Sequence, residues 1–170
     1  AEVRAWLPEE FDPEYVDLVA INASTSINVR VAMTLEAWVY PTATQTGWRT
    51  IMQREVDAYF LMAGQGGSTL VPAGGGVFGG SYMNVSGSSS LAVAAWSHVA
   101  LTYDGAMLRM YVNGSQVDSF PFTGNIQTNG NALRIGGNVP YGEFFNGRID
   151  ELRGYNRAVS PAENQLGSNG

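Results

Sequence analysis

The residues that could do chemistry in this chain fall into a few small sets. Glu55 and Asp57 stand two apart in Arg54-Glu55-Val56-Asp57-Ala58-Tyr59-Phe60, so an extended strand would turn both carboxylates to one face. Position 59, the next on that face, is a tyrosine, and no further carboxylate completes the set. Asp150 and Glu151 are adjacent, and neighbouring strand residues point to opposite faces, so they are not expected to share one substrate. His98 is the only histidine and there is no cysteine. A multi-histidine metal site, a thiolate zinc site and a disulfide frame are therefore excluded, and no Ser-His-Asp or Cys-His set is expected. The aromatic residues carry more. Trp48 follows the polar stretch 42–47, and Tyr141 lies in Asn138-Val139-Pro140-Tyr141-Gly142. Both are expected at loop tips, where an aromatic can stack on the C–H face of a sugar ring while polar groups bond its hydroxyls. Gln45 and Asn138 are the candidate polar partners, so Trp48, Tyr141, Gln45 and Asn138 form the predicted ligand set.

The elements that must hold these residues read as short strands. Residues 15–21 suit a strand, and 29–40 alternate Leu35, Ala37 and Val39 against Glu36, Trp38 and Tyr40 before Pro41 ends the run. Residues 49–54 and 58–63 read as a hairpin around Glu55-Val56-Asp57. The glycine-rich stretch 64–90 reads as short strands near Leu70, at 77–78 and at 82–85, joined by tight turns. Residues 96–103, 107–112 and 116–122 form a meander joined by Asp104-Gly105 and Asn113-Gly114, pairs that supply the positive φ angles of hairpin turns. Strands at 132–136 and 145–155 follow. Ser160-Pro161-Ala162-Glu163 carries the signature of a helix start. Nearly everything is strand, which implies two packed antiparallel sheets or a barrel.

Composition narrows the partners. The 170 residues suit one domain, 1–170, and 45% hydrophobic against 14% charged residues marks a globular chain. All nine basic residues are Arg, scattered from Arg4 to Arg157, and the net charge is −6. Nucleic acid is thereby a poor partner, as are anionic lipids, because both need a basic face. No apolar run is long enough to span a bilayer, so no membrane insertion is expected.

Several phrases then stand in a familiar order. They are WSHVALTYDGAMLRMYVNG (96–114), LRIGG (133–137) and FNGRIDELRGYNRAVSPAE (145–163), with YVDLV (15–19) and MTLEAWVYP (33–41) upstream. Together they resemble the bacterial laminin-G-like, concanavalin-A-like jelly-roll domains, over roughly residues 11–166. The resemblance implies an all-β, two-sheet antiparallel jelly-roll β-sandwich. It also implies a secreted or cell-surface module that binds a glycan or an extracellular protein; a lone module of this kind is most simply expected as a monomer. A structural Ca2+ ion is implied too, with Asp150 and Asp12 as its ligands, although Pro13 replaces the glycine usual after that N-terminal aspartate. Trp38 and Trp96 belong to core phrases of the family and are expected to be buried, and His98 is assigned to strand packing or a hydrogen bond. Sugar-cleaving jelly rolls carry Glu-x-Asp-x-x-Glu or Glu-x-Asp-x-Glu on one strand. Here the third position falls on Tyr59 or Phe60, so residues 55–57 read as a turn and the chain is expected to be no enzyme.

Overall fold

A computed structural model describes residues 2–3, 18–66 and 70–168. The expectations placed on residues 4–17, Asp12 among them, lie outside the described residues. The chain runs through β1 (Glu2–Val3), β2 (Val19–Ile21), β3 (Met33–Pro41), β4 (Arg49–Arg54), β5 (Tyr59–Gly64) and β6 (Ala73–Phe78). It continues through β7 (Ser81–Ser86), β8 (Ser97–Tyr103), β9 (Met107–Val112), β10 (Ser115–Pro121), β11 (Leu133–Ile135) and β12 (Gly147–Tyr155), and ends in helix α1 (Pro161–Gly167). One six-stranded sheet has the order β1-β12-β3-β8-β9-β10, and the other β2-β11-β4-β5-β6-β7. All pairings between these strands are antiparallel, giving the two-sheet jelly-roll sandwich. No strand forms at Leu70.

Alternation along the strands builds the core. From the first sheet Leu35, Ala37 and Val39 of β3, Val99 and Leu101 of β8 and Met110 of β9 point inward. From the second sheet Tyr59, Leu61 and Ala63 of β5, Phe78 of β6 and Ile135 of β11 meet them. The meander turns are built as their residues demand. Asn113 and Gly114 have φ of 49° and 75°, and the Asn113 side chain accepts the His98 N–H at 2.8 Å. Asp104 Oδ1 accepts the N–H groups of Ala106 and Met107 at 2.9 and 2.8 Å, closing the other turn.

The outer face of the first sheet carries the residues between the core positions. Glu36 and Trp38 of β3 and His98 of β8 lie under α1, whose start is fixed by a Ser160–Glu163 capping box. Trp38 Nε1 donates to the Gly167 carbonyl at 3.2 Å, which ties the helix end to this face. The burial expected for the two tryptophans is therefore corrected. Trp38 is half-buried, and Trp96 is 44% exposed with its ring 5.5 Å from that of Tyr40. The odd positions Leu35, Ala37 and Val39 of β3 take the core, which leaves Trp38 on the outer face. Asp150 and Glu151 also depart from simple alternation. A bulge between Asp150 and Arg153, with Glu151 at a φ of 47°, leaves both carboxylates exposed on the outer face.

His98 is 1% exposed, with Glu36 Oε2 at 3.8 Å from its Nε2, while Arg153 donates to Glu36 Oε1 at 3.4 Å. Burial, reinforced by the Arg153 charge, lowers the imidazole pKa to about 4. Because the folded value lies below the ordinary 6.5, stability from the neutral ring is fully present above pH ~6.5 and is lost as pH falls toward about 4. Urea denaturation of the native chain and a His98→Asn variant checks this. The native chain should lose up to about 3 kcal/mol more than the variant between pH 7 and pH 4. A difference between the two that does not change with pH contradicts it.

Candidate functional site

The outer face of the second sheet differs in kind. On β5 the core takes Tyr59, Leu61 and Ala63, so Phe60 and Met62 face outward, and on β7 Tyr82 faces outward beside them. Between β5 and β7 runs β6, whose Gly75 pairs with both Phe60 and Asn84. With no side chain at Gly75 to hold them apart, Phe60 and Tyr82 stack across β6, ring centroids 5.8 Å apart and planes at 23°. A Cβ at Gly75 would run into the Met83 carbonyl oxygen, so the close strand approach requires glycine. Trp48, just before β4, meets Phe60 edge-on at 6.0 Å, and its indole lies against Gly66, where a Cβ would fall 2.5 Å from Nε1. Phe60 is thus a buried floor at 1% exposure, while Tyr82 stands 49% exposed above it.

Two loops complete the groove. The β4–β5 turn supplies Asp57, at a φ of 55°, and the loop after β11 supplies Tyr141 and Glu143. Together with Trp48, Phe60, Met62 and Tyr82 these residues line an open groove of about 270 Å³. Tyr141 is half exposed, and its hydroxyl donates to Asp57 Oδ2 at 3.3 Å. Gln53 Nε2 donates to Asp57 Oδ1 at 2.8 Å. Glu143 Oε2 accepts the Asn138 amide at 2.6 Å. Burial raises the Glu143 pKa, the Asp57 charge adds to it, and the Asn138 hydrogen bond and the Arg49 charge oppose them. The Tyr141 phenol is raised as well, by burial first and then by the Asp57 charge.

The four residues of the predicted ligand set divide between two roles. Trp48 and Tyr141 line the groove together. Asn138 is fully buried beneath it: its Nδ2 donates to Thr50 Oγ1 at 2.9 Å as well as to Glu143, and its Oδ1 accepts the Tyr141 N–H at 2.9 Å. It positions two groove residues. Gln45 is buried with its amide committed to the backbone, donating to the carbonyls of Ala43 and Asn146 at 2.7 and 2.8 Å and accepting the Asn146 N–H at 3.3 Å. That clamp joins the Trp48 loop to the chain just beyond Glu143. Sequence reasoning missed Phe60, Tyr82 and Glu143 as groove residues, and it placed Asp57 only in a turn. The shared outer face of Phe60 and Tyr82 follows from the pairing of Phe60 with Gly75 across β5 and β6, which the sequence does not display.

Asp150 lies on the opposite sheet. It shares a groove of about 570 Å³ with Trp38, Trp96, Glu151, Arg153 and the 72%-exposed Leu166. Its Oδ1 accepts the Glu151 N–H at 2.7 Å, and Glu151 rather than Asp150 pairs with Arg153. Among the described residues no three or more His, Cys, Asp or Glu come together as a metal site, so these residues alone do not make a calcium cage. Glu55 and Asp57 are engaged separately. Glu55 takes Arg134 Nε at 3.2 Å, whereas Asp57 takes Gln53 and Tyr141. No helix of the described residues is long and apolar enough to cross a membrane.

This architecture recurs in solved structures. The binding domain of Paraclostridial Mosquitocidal Protein 1 is similar at a TM-score of 0.73 and 16% identity, over 94% of this chain and 42% of that one, so this chain spans less than half its length. Domain 4 of AbnA, a GH43 extracellular arabinanase from Geobacillus stearothermophilus in complex with arabinotriose, is similar at a TM-score of 0.67 and 22% identity, covering 86% of this chain and 71% of that one. The CBM40 of the Ruminococcus gnavus IT-sialidase, bound to α2,3-sialyllactose, is similar at a TM-score of 0.71 and 13% identity, covering 99% and 97%. At such identities the likeness establishes the fold. No curated protein matches the chain. The family described as the concanavalin A-like lectin/glucanases superfamily, in its laminin-G form, matches residues 14–163, and the chain belongs to it.

Proposed function

We propose that this chain is a non-catalytic carbohydrate-binding or adhesion module of a larger secreted or cell-surface protein. The observation that carries this reading is the groove on the second sheet. Two partly exposed tyrosines and Trp48 stand over a buried phenylalanine, with two carboxylates at the side. The aromatic faces offer stacking for sugar C–H groups, and Asp57 and Glu143 accept from hydroxyls. The glycans in the arabinanase-domain and CBM40 structures support the same direction. A glycan array followed by calorimetry on the hit tests the proposal. Trp48→Ala and Tyr82→Ala should each weaken binding about tenfold or more with the fold intact. Retained affinity in both variants would remove the groove from the function, and release of new reducing ends from the bound glycan would overturn the non-catalytic reading.

A second reading, a protein-contact module, rests on the other groove. There Trp96 and Leu166 are 44% and 72% exposed beside half-buried Trp38, an apolar patch rimmed by Asp150, Glu151 and Arg153. Silence across the array with a protein captured at this face would favour it.

Calcium enters the proposal only as a stabilising ion. It would be held by Asp150 with oxygens from the 1–17 segment, including Asp12, and would favour the native state alone. Millimolar calcium should then raise the melting temperature above that in chelator, and Asp150→Asn should abolish the difference. Superimposable melts count the ion out.

A further inference from the structure

The charge around the groove on the second sheet names the kind of glycan it takes, an inference that rests on the carbohydrate-binding reading. Asp57 is held by the Gln53 amide at 2.8 Å and the Tyr141 hydroxyl at 3.3 Å. Glu143 is held by the Asn138 amide at 2.6 Å. All three donors are neutral. Among the described residues neither carboxylate belongs to an ion pair, so each presents its charge to the groove without a guanidinium in contact. The other ionisable groups in the lining are the phenols of Tyr82 and Tyr141, which can only add negative charge, while from outside the lining the Arg49 charge acts on Glu143.

The basic side chains nearby are otherwise occupied. Arg49 donates to the Phe144 carbonyl at 3.2 Å and to Thr46 Oγ1 at 3.5 Å, at the loop side rather than in the lining. Arg134 on β11 is paired with Glu55. Arg54 is 1% exposed and engaged with Asn28 and Asn129. Recognition of a sugar carboxylate or sulfate calls for a guanidinium or ammonium presented to it, because charged acceptors need charge-assisted donors. The groove presents acceptors where such a ligand would bring its own acceptors. A neutral sugar brings hydroxyls, which donate to carboxylates while its ring stacks on the aromatic faces.

We infer that this groove binds neutral oligosaccharides and rejects anionic ones, with Asp57 and Glu143 as its charge-selecting residues. The chain's net charge of −6 works in the same direction at longer range. The shared fold of the sialyllactose-bound CBM40 therefore does not extend to its ligand class.

The test is an array carrying neutral and acidic glycans, followed by titration calorimetry at low salt on matched pairs. Suitable pairs are lactose with α2,3-sialyllactose, and galactan with galacturonan oligosaccharides of equal length, together with the neutral array hit and its carboxylated or sulfated form. The neutral member should bind at least about tenfold tighter, and raising the salt should narrow the gap. The double variant Asp57→Asn, Glu143→Gln, which keeps side-chain shape, should bring the pair to within about threefold, with Asp57→Asn alone narrowing the gap in part. Equal or tighter binding of the acidic member overturns the inference and leaves the carbohydrate-binding reading standing. A gap unchanged in both variants also overturns it. Silence from both members of every pair, and from the array, overturns the carbohydrate-binding reading and this inference with it.

Discussion

A run of three glycines in β6 governs both surfaces of the second sheet. In β6 the run Gly74-Gly75-Gly76 lets neighbouring chains approach more closely than any Cβ would permit. On the inner side, Leu101 of the facing sheet fills the space over Gly74, where a Cβ would sit 2.8 Å from Leu101 Cδ1. On the outer side, Gly75 leaves open the strip across which Phe60 and Tyr82 stack. One stretch of backbone therefore sets the fit of the two sheets and clears the floor of the groove. The entropic cost of ordering three glycines is offset by packing on both sides.

The two outer faces are divided by chemistry. The first sheet folds its polar residues inward beneath α1, where Glu36, His98 and Arg153 meet and the tryptophans at the rim stay partly wet. Its charges answer one another. The groove on the second sheet keeps its two carboxylates on neutral donors and its aromatic faces open, an arrangement suited to an uncharged partner with many hydroxyls. Buried amides make that possible: Asn138 fixes Tyr141 and Glu143, and Gln45 fixes the loop that carries Trp48. Polar groups of this kind are costly to bury unless fully bonded, and both side chains have partners at their nitrogen and oxygen ends.

Much of the fold was legible in the sequence because its punctuation is local. Asp104-Gly105 and Asn113-Gly114 declare their turns, Ser160 to Glu163 declares the helix start, and β3 and β8 alternate cleanly. Trp48 and Tyr141 could be read as loop aromatics since polar turn residues surround them. Phe60 and Tyr82 could not be read as groove residues. In sequence they look like any core aromatic, and only the register across β6 turns them to the same outer face. Trp96 misled for the opposite reason, since its phrase suggests a core strand while it precedes β8 and remains outside. The bulge that leaves both Asp150 and Glu151 exposed is a register event with no local signature. The roles of Asn138 and Gln45 depend on distant partners, Thr50 for Asn138 and Asn146 for Gln45, which no sequence pattern specifies.

The proposed glycan site is the groove on the second sheet, and a structure of the chain with its neutral oligosaccharide hit tests that directly. The predicted result is a sugar ring stacked on the aromatic faces over Phe60, its hydroxyls within hydrogen-bond reach of Asp57 and Glu143. Density for the sugar in the Trp38–Trp96 groove of the opposite sheet, or at the loop rim away from Tyr82 and Trp48, would contradict it.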